Sequence, residues 1–245
     1  DYFGTIKTMD KRFNSIPLPI QIPIGQEENY SGVIDLIKQK AITWEHNTLG
    51  LSFTVSDVPS DMLQQVKEYR EKLIESLAEM DDYIADKYLD GTEISDSEII
   101  QAVRKATISL KAVPVMCGTA LRNKGIQPLL DAIVHFLPSP EDVPPVRGIN
   151  PRTKQEEVRY SSDNDPLAAL AFKVVQDEGR KLTYLRVYSG RIKVGYDVYN
   201  ASIGKKEKIA RLLKMHANKR ERIDQCNAGG IVAILGLKDT TTGNT

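Results

Sequence analysis

Apolar positions along the first half of the chain alternate between a two-residue and a three-to-four-residue period. Residues 1–13 (DYFGTIKTMDKRF) read as a short amphipathic helix, and 17–25 (PLPIQIPIG) as a buried strand ending at Gly25. SGVIDLIKQKAITW, 31–44, alternates as one or two strands. The clearest helical pattern opens at Pro59-Ser60. Met62, Leu63, Val66, Tyr69, Leu73, Leu77, Met80, Ile84 and Tyr88 then recur at helical spacing, which predicts one helix through that stretch. Its other faces carry Glu71, Glu75, Glu79 and Asp82. A second helix opens at Ser95, where Glu98 completes a capping box, Ile94 and Ile99 form a staple, and Ile100, Val103 and Ala106 continue the inner face. Val113 to Cys117 reads as a short buried strand. Ile126, Leu129, Leu130, Ile133, Val134 and Leu137 form the apolar face of a third helix, with His135 on its wet side.

Pro138 and Pro140 stop that helix, and EDVPPVRGINPRTKQEE reads as an extended linker. Beyond Pro166 the pattern becomes short runs rich in Val, Ile, Leu and Tyr, punctuated by Gly, Asn and Asp: LAALAFKVV, KLTYLRVYSGRI, DVYNAS, KKEKIARLLKMH and GIVAILGL. Such spacing predicts an antiparallel sandwich or barrel. The expected organisation is an α/β part over 1–140, a linker over 141–160 and a β part over 161–245. The last run breaks off at TTTGNT, so the barrel is expected to be incomplete at that end.

Composition changes this picture little. Hydrophobic residues make up 41% and charged residues 27%, as in ordinary globular proteins. No apolar stretch is long enough to span a bilayer and no signal-peptide pattern opens the chain, so no membrane partner is expected. The two cysteines, Cys117 and Cys226, lie far apart, which fits a reducing, cytoplasmic setting. Net charge is zero but unevenly spread. Asp57 to Glu98 holds 13 acidic residues against 4 basic, and Ile203 to Arg222 holds 8 basic against 2 acidic. Charge alone reads both runs as solvated faces or as surfaces for two different partners.

Candidate chemistry is sparse. Three histidines without a metal-site spacing, and no nucleophile elbow, leave no catalytic residue and no metal ligand to assign. The nearest approach to a phosphate loop, Gly190 to Gly195, has Tyr196 where the motif needs Lys. Asn123-Lys124 and Asn218-Lys219 both lack the aspartate of an Asn-Lys-x-Asp guanine motif. DYFG at the start satisfies a bare DxxG pattern that chance alone supplies. One loop stands out: PVMCGTALRNKG leaves a strand through Gly118, Thr119 and Ala120 ahead of a helix. Small residues there let backbone approach a ligand closely, and they equally suit a plain turn.

Three long stretches resemble bacterial elongation factor G, a translational GTPase. They are PLPIQIPIGQEENYSGVIDLIKQKAITW, VPVMCGTALRNKGIQPLLDAIVHFLPSPEDVPP, and LTYLRVYSGRIKVGYDVYN with LLKMHANKRERIDQCNAGGIVAILGLKDTTTGNT. The resemblance implies the end of a P-loop GTP-binding domain with an α+β insert at about 27–110, followed by the second, β-barrel domain of that family. It places Gly118, Thr119, Ala120 and Leu121 at the guanine edge of the nucleotide, with Thr119 where the family often has Ser. GTP or GDP with Mg²⁺ is the implied ligand of the longer factor. These 245 residues, lacking the phosphate loop and switch regions, are expected neither to hold it tightly nor to hydrolyse it.

The resemblance further implies the ribosome as partner. The acidic insert would meet the stalk protein of the large subunit. The barrel would meet ribosomal RNA on the small-subunit side through Lys205, Lys206, Lys208, Arg211, Lys214, Lys219, Arg220 and Arg222. The implied role is coupling GTP hydrolysis to movement of tRNA and mRNA. A recycling or release-type paralogue shares these domains, and a non-enzymatic ribosome- or RNA-binding module is the reading from another class.

Overall fold

The computed structural model describes residues 1–245 apart from 14, 46–48, 178 and 218, and the side chain of 177. The chain divides into two compact units, Asp1–Pro138 and Ser139–Thr245.

The first unit opens with α1 (Tyr2–Arg12), N-capped by the Asp1 carboxylate, which accepts from the Gly4 amide. Strand β1 (Ile16–Pro19) follows, and then an antiparallel four-stranded sheet: β2 (Gln21–Ile24), β3 (Gly32–Asp35), β4 (Lys40–Trp44) and β5 (Phe53–Asp57), in that spatial order. Three helices come next, α2 (Leu63–Ala78), α3 (Asp82–Leu89) and α4 (Asp96–Ile108). Strand β6 (Ala112–Val115) pairs in parallel with β1, and α5 (Ile126–Phe136) closes the unit. The core gathers Leu18, Ile22, Ile34 and Leu36 from the strands and the segment after β3 against Leu73, Leu77, Ile84 and Ile99 from the helices.

Two helical expectations need correction. The single helix read through Tyr88 is two helices, because Asp81 adopts an extended conformation and caps a new start, its carboxylate accepting from the Tyr83 amide at 3.1 Å. An aspartate that caps its own neighbours competes with the helical ladder, and the break lets Ile84 turn into the core. The apolar stripe on α5 is present, yet only Phe136 is buried; Leu129, Leu130, Ile133, Val134 and Leu137 are exposed. The helix is held at both ends instead. Trp44 Nε1 donates to Gln127 Oε1 at 3.3 Å, and Arg104 donates to the carbonyls of His135 and Leu137.

The capping box at Ser95 forms as read. The Glu98 amide donates to Ser95 Oγ, and Glu98 Oε2 accepts from the Ser95 amide at 2.8 Å. Buried Ile94 and Ile99 flank it.

In the second unit, the segment read as an extended linker holds a hairpin, β7 (Val146–Ile149) with β8 (Glu156–Arg159). Its turn is built by Asn150, whose Oδ1 accepts from the amides of Arg152 and Thr153. Asn-Pro at that point is turn chemistry that a linker reading overlooks. The strands that follow are β9 (Ala168–Asp177), β10 (Arg180–Ser189), β11 (Ile192–Lys193), β12 (Asp197–Asn200), β13 (Lys205–Lys208), β14 (Arg211–His216), β15 (Lys219–Ile223), β16 (Gln225–Cys226) and β17 (Ile231–Leu235). Five form an antiparallel sheet in the order β15-β14-β17-β10-β9, and β11–β16 and β12–β13 are separate pairs. Alternation puts Leu185, Val187, Leu212, Val232 and Ile234 into one core with Ile192 and Ile209. The expected α/β part followed by an antiparallel β part is what forms.

Candidate functional site

The Gly118 loop is a tight structure between β6 and α5. Thr119 and Lys124 bridge each other through both amide–carbonyl pairs, at 2.9 and 3.2 Å, and Ala120–Arg122 form a single 3₁₀ turn between them. Two glycines make this closure feasible. A Cβ on Gly118 would lie 2.7 Å from the Lys124 carbonyl oxygen. Gly125 sits at φ +89°, where a Cβ would come within 3.0 Å of the Cys117 oxygen. Asn123, also left-handed, donates from Nδ2 to the Leu49 carbonyl.

The loop therefore presents a small-residue edge. The amides of Ala120 and Leu121 open the 3₁₀ turn and have no acceptor within it. Leu121 is 101% exposed, so its side chain covers nothing in the unit. Beneath the loop, burial pushes the Cys117 thiol up to about 12. A thiol so held stays neutral, a structural cysteine rather than a nucleophile. Sequence reasoning passes over Lys124, which is 3% exposed and whose Nζ has no hydrogen-bond partner among the described residues. Its place in a polar run gives no signal of burial.

The eight basic residues do not form one patch. In the β12–β13 pair, Lys206 and Lys208 stand opposite Tyr199 and Asp197, while Lys205 bonds Asp239 at 2.9 Å. Glu207, between them, is buried and accepts from Thr240 Oγ1 and the Asp239 amide. In the β14–β15 pair, Arg222 opposes Leu213 and Arg220 opposes Met215. Lys214 opposes Glu221 and Lys219 opposes His216, on the other face. By the same alternation Arg211 shares the face of Leu213. All eight are exposed; in the β14–β15 hairpin Arg211, Arg220 and Arg222 share the face of Leu213 and Met215 while Lys214 and Lys219 share that of Leu212, and in β12–β13 Lys206 and Lys208 have the parity opposite to the buried Glu207. Among the described residues no group of His, Cys, Asp and Glu is placed to hold a metal ion, and no helix is long and apolar enough to cross a membrane.

Residues 180–245 match the elongation factor Tu domain 2 family. The resemblance to elongation factor G extends along the rest. All 245 residues align at 60% identity with elongation factor G 2 of Syntrophus aciditrophicus (strain SB), covering 36% of that protein. A crystal structure from Thermus thermophilus superposes on the whole chain with a TM-score of 0.77 at 24% identity, over 33% of its own length, which speaks for the fold. The chain thus spans about a third of the relatives it matches.

Proposed function

We propose that these residues are the section of an elongation-factor-G-type translational GTPase that joins the guanine edge of its GTP-binding domain to its second domain. The observation that carries this reading is the 60% identity sustained over the full 245 residues. In the longer factor, the loop from Gly118 to Leu121 closes against the guanine base. The amides of Ala120 and Leu121, which have no acceptor within the turn, supply donors for its carbonyl; Ala120 leaves room for its plane, and Gly118 lets the loop fold tightly enough to present them. The phosphate cradle, Mg²⁺ ligands and water-positioning groups that GTP hydrolysis requires come from elsewhere in the factor. Hydrolysis would drive a change of conformation that moves tRNA and mRNA through the cytoplasmic ribosome.

The barrel meets ribosomal RNA through its exposed lysines and arginines by phosphate contact, without reading sequence. The acidic helices α2 and α3 meet the large-subunit stalk protein. Two measurements test the reading. The 245-residue polypeptide is expected to sediment with ribosomes in low salt yet show no micromolar affinity for GTP or GDP. In the intact factor, Ala120→Tyr is expected to speed release of a fluorescent GDP analogue by about ten-fold. Unchanged release from that variant overturns the role of the loop.

A further inference from the structure

Far from the Gly118 loop in sequence, the four-stranded sheet of the first unit carries a cross-strand row with unusual chemistry. Gln21 pairs with Asp35, Asp35 with Lys40, and Lys40 with Asp57, each directly opposite the next. Directly opposed residues share a face, so this row and its neighbour, which carries Ile42 and Val55, look the same way. Between that face and α5 lies a cavity of about 220 Å³. Its floor is Gln21, Asp35 and Ile42, its wall Phe53 and Val55, and its lid Pro128, Asp131, Ala132 and Phe136, with His135 at the side.

The polar lining combines two carboxylates, Asp35 and Asp131, with Lys38, Lys40, His135 and the amides of Gln21 and Gln127. Gln21 is 3% exposed, and its Oε1 has no hydrogen-bond partner among the described residues. A buried carbonyl left unpaired is rare in folded proteins and marks a missing donor. Asp35 accepts the Ile37 and Lys38 amides on Oδ1, and its Oδ2 has no such partner among the described residues. Burial is the chief influence raising the proton affinity of this carboxyl. Asp131 adds a second carboxylate. Lys38 and Lys40 also line the cavity; the Lys40 ammonium pairs with Asp57 at 2.6 Å, and the Lys38 side chain is exposed beside Asp35. The described residues offer no cluster suited to a metal ion, and the volume exceeds that of one water molecule.

We propose that this cavity binds a small organic cation, an amine, amidine or guanidinium carried on a compact apolar body. Its N–H groups donate to Gln21 Oε1 and to the free oxygen of Asp35, and Asp131 balances its charge from the lid. Its apolar part rests on Ile42, Phe53, Val55 and Phe136. Nothing in this site depends on the nucleotide reading of the loop.

Benzamidine is the probe, and benzamide, nearly the same shape without the charge, is the comparison. Trp44, the single tryptophan, bonds the lid residue Gln127 and reports occupancy by fluorescence. Benzamidine is expected to bind at least about ten-fold tighter than benzamide, because its hydrogen bonds are charge-assisted. Asp131→Asn is expected to reduce that preference, and Ala132→Trp, which fills the cavity, to abolish binding. Should Ala132→Trp fail to fold by circular dichroism, Val55→Trp on the exposed strand β5 fills the cavity from the other wall. Equal affinity for the two probes, no saturable change at millimolar concentration, or benzamidine binding that survives a filled cavity each overturns the proposal.

Discussion

The Cys117 thiol shows how much one residue's surroundings decide. Burial lifts it from an ordinary 9 to about 12, so the native state holds it as the neutral form. For a group whose folded value is raised, the stabilising contribution is complete below the ordinary value and is lost as pH rises through the folded one. Denaturant unfolding followed from pH 9 upward is therefore expected to show falling stability, and Cys117→Ala to flatten that fall. Ellman's reagent at neutral pH should modify the native thiol at least about a hundred-fold more slowly than the unfolded one. Gly125→Ala is expected to cost about 2 kcal/mol, since the new Cβ meets the Cys117 carbonyl in a left-handed backbone. The tight turn at Gly118 is legible because small residues and glycine after an apolar run mark the end of a strand. The buried Lys124 is not legible. It stands between Asn123 and Gly125 in a polar run, and nothing in that spacing marks it as buried.

At the scale of elements, local signals that act within one turn read correctly. Ser95 with Glu98 forms the reciprocal cap, and Ser95→Ala is expected to cost about 1 kcal/mol by urea unfolding. The break at Asp81 escapes the pattern because the apolar spacing runs on through Met80 and Ile84 while a side-chain cap interrupts the backbone. Periodicity reports which residues face a core and is silent on whether the helix between them is continuous. The β7–β8 hairpin escapes it for the converse reason. Prolines and charges dominate its sequence, and its four-residue strands are too short to show alternation. The cavity beneath α5 is invisible in the same way, since register alone sets Gln21 against Asp35.

For the molecule as a whole, the apolar stripe of α5 is the largest departure from what pattern implies. Leu130 is 58% and Val134 77% exposed, so replacing them removes little buried area. Leu130→Lys with Val134→Glu is expected to shift unfolding stability by less than about 1 kcal/mol. The same pair should reduce concentration-dependent association seen by light scattering, because exposed apolar patches drive it. The strand register of the basic run has a thermodynamic consequence of its own. If a single RNA strand lay against one face of the β14–β15 hairpin, it would displace counterions only from phosphates matched to Arg211, Arg220 and Arg222, not to all five basic residues of that hairpin. The logarithm of the binding constant should then fall against the logarithm of salt with a slope of about −2.1, whereas five contacts would give about −3.5. Alternation along one short hairpin would thus be measured as a number of ions released.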